Sequence, residues 1–152
     1  MNQIELDVRN LKVSFSTPQG NFLAVNGINF QLHSGETLAL VGESGCGKTV
    51  SALSILRLLP EPPAKITSGE IIFAGRDLLS LNAKQMREIR GKKIAMIFQD
   101  PMTSLNPVLT VGEQIIETLL RHTNMNRQEA RKKSAELLSR VELPAPKEKL
   151  TH

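Results

Sequence analysis

Apolar and polar residues largely alternate along residues 4–15, and this period of two predicts a half-buried strand or strand pair. A turn is predicted at Thr17-Pro18-Gln19-Gly20, where proline and glycine interrupt the pattern. Residues 22–32 are again predicted to be extended, with Asn26-Gly27 as a hairpin signal. The chain is therefore expected to open with an antiparallel β region.

Two short apolar runs, 37–41 and 94–98, are typical of strands buried on both faces of a parallel sheet. Residues 48–59 lie between them and carry apolar residues at helical spacing, so they predict a helix that ends at the prolines near residue 60. Residues 70–73 predict a further strand. Alternation of strand and helix indicates an α/β fold.

The remaining pattern is helical. Asn82 is predicted to cap a short helix over 83–90, and amphipathic helices are predicted over 111–122 and 127–141. The expected buried face of the last helix is formed by Ala130, Leu137, Leu138 and Val141. We therefore expect two domains, with residues 1–100 forming the α/β core and residues 101–152 the start of a helical subdomain.

The amino-acid composition disfavours or excludes several classes of protein. The 152 residues carry a net charge of +4, and only 3% of them are aromatic, which weakly disfavours binding of single-stranded nucleic acid by base stacking. A single cysteine excludes a disulfide within the chain. The N-terminus does not resemble a signal peptide, and no apolar run approaches the length of about 20 residues that spans a bilayer. The expectation is a soluble cytoplasmic protein.

One motif carries specific chemistry. It matches the phosphate-binding pattern G-x-x-x-x-G-K-[ST] at every fixed position, between a predicted strand and a predicted helix. Its residues are Gly42, Glu43, Ser44, Gly45, Cys46, Gly47, Lys48 and Thr49. Glycines let successive N–H groups point inward, and a helix N-terminus attracts anions.

Roles follow for individual residues of this loop. Lys48 can reach the β- and γ-phosphates of ATP, and Thr49 can offer a hydroxyl to Mg²⁺. The motif residues, with Val50 as the next helical residue, are predicted to bind nucleotide. A Gly-rich turn with an incidental lysine is the structural alternative. Cys46 occupies a variable position, where a passive small residue is favoured over a redox sensor.

With this loop in place, the whole chain resembles the ATPase subunits of ABC importers, in the dipeptide/oligopeptide/nickel/glutathione group. The resemblance is carried by residues 35–49, 68–78 and 95–107, followed by Thr110-Val111-Gly112. The run Phe98-Gln99-Asp100-Pro101 through Pro107 is the most specific part, because it resembles the glutamine loop of the peptide importers. The implied fold is an incomplete P-loop NTPase core of the ABC ATPase type, with an N-terminal antiparallel β region.

The resemblance implies roles for two more residues. Gln99 is expected to approach Mg²⁺ and the attacking water, and so to be a catalytic and metal-binding residue together with Lys48. The loop after Gln99 is expected to receive a coupling helix of a membrane subunit. Reading 94–98 and Asp100 as a Walker B strand is a less favoured alternative, because Gln99 intervenes. Phe15 is the expected adenine-stacking aromatic, with Phe22 as its rival.

Three family elements are missing from the sequence: a Leu-Ser-Gly-Gly-type signature, an apolar strand ending in Asp-Glu, and a switch histidine. We therefore expect a truncated product or fragment that exposes apolar surface, binds ATP weakly at best and does not hydrolyse it by itself. The implied partners are ATP with Mg²⁺, a second ATPase subunit and membrane-spanning subunits at the cytoplasmic face of the inner membrane. A soluble ABC protein acting on nucleic acid and a non-catalytic remnant are the alternatives.

Overall fold

The computed structural model describes residues 3–100 and 105–141. Within them lie four strands and four helices. The strands are β1 (Ile4–Thr17), β2 (Gly20–His33), β3 (Ala64–Phe73) and β4 (Arg76–Asp77). The helices are α1 (Lys48–Ile55), α2 (Ala83–Ile89), α3 (Val111–His122) and α4 (Arg127–Arg140). The chain divides into two compact units, Met1–Met86 and Arg87–His152.

The first unit is built on an antiparallel sheet of order β2-β1-β3-β4. The predicted turn after Thr17 closes the β1–β2 hairpin, and the Thr17 hydroxyl donates to the carbonyl of Gly20 at 2.7 Å. β1 is the central strand, and β2 and β3 pair with it on either side. The predicted opening β region is confirmed, and β3 is longer than the predicted strand over 70–73.

The predicted hairpin turn at Asn26-Gly27 is wrong. β2 runs without interruption from Gly20 to His33, and Asn26 pairs with Lys12 in the ladder. The register of the two strands shifts on both sides of Leu11. Gly27 lies at this irregularity with a φ of 73°, which only glycine adopts without strain. The glycine marks a bulge because the hairpin is already closed at residues 17–20.

Buried apolar side chains from the strands, from the end of α1 and from the segment after β4 form the core of this unit. They are Leu6, Val8, Leu11, Val13, Val25, Leu56, Ala64, Ile71, Leu78, Leu81 and Met86. α1 contacts β2, and Ser51 and Ser54 on its buried face donate their hydroxyls to the carbonyls of Gly47 and Val50. These bonds satisfy the hydroxyls within the helix itself, so burying them leaves no donor unpaired.

α1 is shorter than the predicted helix over 48–59. It ends at Ile55 because Arg57 adopts a φ of 50°, and the N–H groups of Arg57 and Leu58 donate back to the carbonyls of Ser54 and Leu53. This pattern is a Schellman motif. The Arg57 guanidinium donates to the carbonyl of Leu81, which offsets the strain of a left-handed non-glycine residue.

The two predicted parallel strands, 37–41 and 94–98, are not formed. Residues 37–41 have no regular structure, and Ile94 makes only an isolated bridge to Arg90. Most of their apolar side chains are exposed instead of doubly buried: Val41 is 92% and Ile97 95% accessible, whereas Ile94 and Met96 are half-buried. A strand exists only where a neighbouring strand takes up its N–H and C=O groups, and no strand among the described residues pairs with either run.

The helices match their predictions more closely. Asn82 accepts the N–H of Gln85 at 3.0 Å and so caps α2, as predicted. In the second unit, capping boxes at Thr110–Glu113 and Asn126–Glu129 begin α3 and α4. α3 and α4 pack together.

The predicted buried face of α4 is confirmed at Ala130 and Leu138 and wrong at Val141, which caps the helix and is 66% exposed. The helix ends one residue earlier than predicted, so Val141 leaves its apolar stripe. Pro144 and Pro146, predicted to close the helix, lie outside the described residues.

Candidate nucleotide-binding site

The phosphate-loop motif occupies the stretch that leads into α1. α1 begins at Lys48, and Gly47 is its N-cap with a φ of 94°. No side chain caps this end of the helix in the described part of the chain. The first N–H groups of a helix have no acceptor inside it. Donors at Lys48, Thr49 and Val50 therefore meet at the loop, together with the positive end of the helix dipole.

Gly47 lies against the sheet. A Cβ at this position would lie 2.6 Å from the carbonyl oxygen of Ala24 and 3.4 Å from Cγ2 of Val25. No side chain fits there without a shift of the backbone. β2 thus fixes the position of the loop end and of the helix N-terminus.

The other two glycines serve the loop itself. Gly45 has a φ of 80° and open space around its missing side chain. A Cβ on Gly42 would lie 2.6 Å from the Cys46 sulfur, so a side chain at this position would fill the inside of the loop. The exposed Cys46 thiol thus packs against Gly42 as a small side chain.

The Lys48 side chain curls back across the loop. Its ammonium donates to the carbonyl oxygens of Gly42 at 2.7 Å and Glu43 at 2.6 Å, and its nitrogen lies 3.4 Å from the Cys46 sulfur. The loop therefore holds a positive charge over its own backbone. An incoming anion would meet this charge together with the helix N-terminus.

Taken together, these residues fit a polyphosphate. The donor set consists of backbone N–H groups and one ammonium, and the cradle exists only because Gly42 and Gly47 lack side chains. Thr49 lies exposed in the first turn of α1 and adds a hydroxyl, a ligand that suits Mg²⁺.

Phe15 and Phe22, treated as rivals in the sequence, are direct partners in the β1–β2 ladder. Phe15 is half-buried and Phe22 is 60% exposed. Their pairing could have been read from the sequence, because a turn that pairs Thr17 with Gly20 also sets residue 15 opposite residue 22. The hairpin therefore brings together two residues that the sequence considered separately.

Gln99 belongs to the second unit and is exposed, as is Asp100. It follows the run 94–98, which forms no strand, so the expectation that it ends a buried strand is wrong in this structure. Residues 101–104 of the loop after it lie outside the described residues.

None of the helices found in residues 3–100 and 105–141 has the length and apolar character needed to cross a membrane.

Known proteins resemble this chain over most of its length. The family model described as ABC transporter matches residues 25–152. The dipeptide transport ATP-binding protein DppD of Bacillus subtilis (strain 168) is 55% identical over 145 residues, which are 95% of this chain and 43% of that protein. The oligopeptide transport ATP-binding protein OppD of the same organism is 49% identical over 95% of this chain and 40% of its own length. The chain thus spans less than half the length of these relatives.

Solved structures agree with the sequence comparison. The dimeric ABC transporter cassette MJ0796 is 26% identical and superposes with a TM-score of 0.77, covering 92% of this chain and 58% of that one. Its post-hydrolysis state, bound to ADP and Pi, matches with the same score. The implied fold, a partial P-loop ABC ATPase, is confirmed. Because the family model and the solved cassettes both cover most of the sequence, the chain belongs to the ABC transporter family.

Proposed function

We propose that this chain is part of the ATP-binding subunit of an ABC importer that couples ATP binding and hydrolysis to the uptake of di- and oligopeptides. The observation that carries the proposal is the loop at the start of α1, where Lys48 and the helix N-terminus converge on a cradle lined by glycine. The names of DppD and OppD, which are peptide-transport ATP-binding proteins, support the choice of substrate.

In this proposal each loop residue has a role. N–H groups of the loop and of Lys48, Thr49 and Val50 donate to phosphate oxygens, and the Lys48 ammonium leaves its carbonyl acceptors for the β- and γ-phosphates. Thr49 would hold Mg²⁺ through its hydroxyl, and the ion would supply positive charge to the phosphate oxygens. From the resemblance of its loop alone, Gln99 is proposed to orient the attacking water through its neutral amide.

The proposed partners follow from the family. The solved cassette is dimeric, which supports a second ATPase subunit as partner. The chain would be a peripheral protein at the cytoplasmic face of the inner membrane. There, membrane-spanning subunits would receive the conformational change that ATP binding and hydrolysis cause. The loop after Gln99 would contact their coupling helix.

Nucleotide binding is tested with Lys48→Ala and a matched control, Lys65→Ala, whose side chain is exposed on β3. Calorimetric titration with Mg·ATP to millimolar concentration should show binding by the wild type and by Lys65→Ala. Lys48→Ala should lose about 10- to 100-fold in affinity, since a hydrogen bond to a charged group contributes about 1.5–3 kcal/mol. Equal affinities of the two variants, or no binding by the folded wild type, would contradict the proposal.

Transport is tested in cells. Deletion of the gene should abolish uptake of a labelled dipeptide, and restoration should succeed with the wild-type gene and with Lys65→Ala but fail with Lys48→Ala. Normal dipeptide uptake after deletion, with loss of nickel or glutathione uptake instead, would reject peptides as the substrate.

A further inference from the structure

Positive charge is concentrated in two segments of the second unit. Residues 87–93, the basic turn, and residues 121–133, the hairpin end, together hold nine of the 19 basic residues and two of the 15 acidic residues of the chain. The rest of the chain holds ten basic and 13 acidic residues, so it is net negative. The positive charge of the protein therefore comes from these two segments alone.

The hairpin end joins two packed helices. α3 ends at His122, α4 begins at Arg127, and the two helices pack against each other. Packed helices that are joined by so short a connection form an antiparallel hairpin, so the C-terminal end of α3 lies beside the N-terminal end of α4. Arg121 and Arg127 accordingly line the same groove. The basic residues on both sides of the connection thus share one end of the helix pair.

The basic turn packs on this same end. A Cβ on Gly91 would lie 2.8 Å from Nε2 of His122, so the turn is in direct contact with the last residue of α3. The turn itself is closed by a backbone hydrogen bond, in which the N–H of Lys93 donates to the carbonyl of Ile89 at 2.9 Å. The basic turn and the hairpin end therefore form one basic surface, which we call the cationic end.

Most positive groups of the cationic end face solvent without a counter-ion. The exposed basic residues that form no ion pair with any residue of 3–100 or 105–141 are Arg87, Lys92, Lys93, Arg127, Arg131 and Lys132. Of the two acidic residues here, Glu129 takes part in the α4 cap and Glu88 is exposed. Glu117 in the groove and Glu136, which pairs with Lys133, border the surface. The basic residues outnumber these acids, so the surface would attract an anionic partner.

We propose that the cationic end binds the anionic headgroups of membrane phospholipids. The inference rests on the proposed location at the cytoplasmic face of the membrane, and it adds a contact made by residues of this chain. Each Lys or Arg near an anionic leaflet contributes about fivefold to partitioning (about 1 kcal/mol), and clusters of about four to eight such residues bind anionic lipid. Neither segment contains an aromatic residue that could stack on a base, which disfavours single-stranded nucleic acid as the partner.

Vesicle sedimentation with the purified chain and three triple variants tests the proposal. The turn variant carries Arg87→Gln, Lys92→Gln and Lys93→Gln. The hairpin variant carries Arg127→Gln, Arg131→Gln and Lys132→Gln. The control variant makes the same change in net charge at exposed positions on β3, on β4 and at the far end of α4, namely Lys65→Gln, Arg76→Gln and Arg140→Gln. Vesicles of equal parts phosphatidylglycerol and phosphatidylcholine are compared with phosphatidylcholine alone at millimolar lipid.

The wild type should bind the anionic vesicles and not the neutral ones. Binding should be lost when the ionic strength rises from about 0.01 M to about 1 M, because the Debye length falls from about 30 Å to about 3 Å. The turn and hairpin variants should each partition about 100-fold less, since each loses three charges, and the control variant should match the wild type. A double variant, Lys92→Gln with Lys93→Gln, leaves every helix untouched and should lose about 25-fold, which covers a failure of the triple variants to fold.

Several outcomes would overturn the proposal. They are an equal loss in the control variant, no binding of anionic vesicles by the folded wild type, equal binding of neutral vesicles, and a loss in only one of the turn and hairpin variants. Binding of an RNA or DNA duplex that both variants abolish, with vesicle binding unchanged, would assign the surface to nucleic acid instead.

Calorimetric titration with Mg·ATP separates this proposal from the nucleotide function. The substituted residues lie outside the phosphate loop, so both variants should bind Mg·ATP as the wild type does. Loss of vesicle binding with normal Mg·ATP binding by the wild type would overturn the lipid contact alone. Vesicle binding by a folded wild type that ignores Mg·ATP would reject the nucleotide function alone.

Discussion

The close approach between the phosphate loop and β2 can be tested by substituting Gly47 with alanine. Two separate costs are expected. Gly47 has a φ of 94°, and holding a residue with a Cβ in left-handed backbone costs about 1–2 kcal/mol. The new Cβ would also lie 2.6 Å from the carbonyl oxygen of Ala24, a backbone atom that cannot rotate away. Crowding of this kind costs about 1–3 kcal/mol, so Gly47→Ala should destabilise the protein by about 2–5 kcal/mol.

Gly45→Ala is the matched control. Gly45 has a φ of 80° but no atom within 4 Å of its missing Cβ, so only the backbone cost of about 1–2 kcal/mol applies. Both substitutions restrict the unfolded chain in the same way, and this effect cancels in the comparison. The difference between the variants therefore isolates the contact of Gly47 with β2.

Urea denaturation followed by circular dichroism measures both free energies of unfolding. At a typical slope of about 2 kcal/mol per molar urea, the midpoint of Gly47→Ala should fall by about 1–2.5 M and that of Gly45→Ala by about 0.5–1 M. Equal destabilisation by the two substitutions would show that Gly47 does not press against β2. In that case β2 would not fix the position of the loop end.

Three further predictions concern other parts of the chain. Gly69→Ala should destabilise the protein by more than about 2 kcal/mol, because φ is 108° and a Cβ would lie 2.7 Å from the backbone of β1; an unchanged urea midpoint would refute this close packing. Asn126→Ala should cost about 1 kcal/mol of stability through loss of the α4 cap, and Asn126→Ser should restore most of it in the same assay; a neutral Asn126→Ala would refute the cap. The pKa of Glu36 should lie below its ordinary value, chiefly because the backbone N–H of His33 donates to its carboxylate at 2.8 Å. Its contribution to stability is thus present above the unfolded-state pKa and lost as the pH falls through the folded-state value, and an NMR titration showing an unshifted midpoint would contradict it.

Local features of the sequence were sufficient for most helices and for the loop. The Asn82 cap, and the glycine spacing from Gly42 to Gly47, act within a few residues. Interactions between residues so close in sequence can be predicted from the sequence itself. The alternating pattern predicted β1 in the same way, because its two faces meet different environments.

The tertiary structure decided those features that depend on contacts between segments distant in sequence. The apolar runs 37–41 and 94–98 have the composition of buried strands, yet a strand needs a neighbour to take up its hydrogen bonds, and composition does not reveal whether that neighbour is present. Asn26-Gly27 has the composition of a turn, but the hairpin closed earlier made it a bulge. Strand pairing joins residues that are far apart in sequence. The pattern of apolar and polar residues could therefore predict which segments are able to form strands, and the tertiary fold determined which of them do.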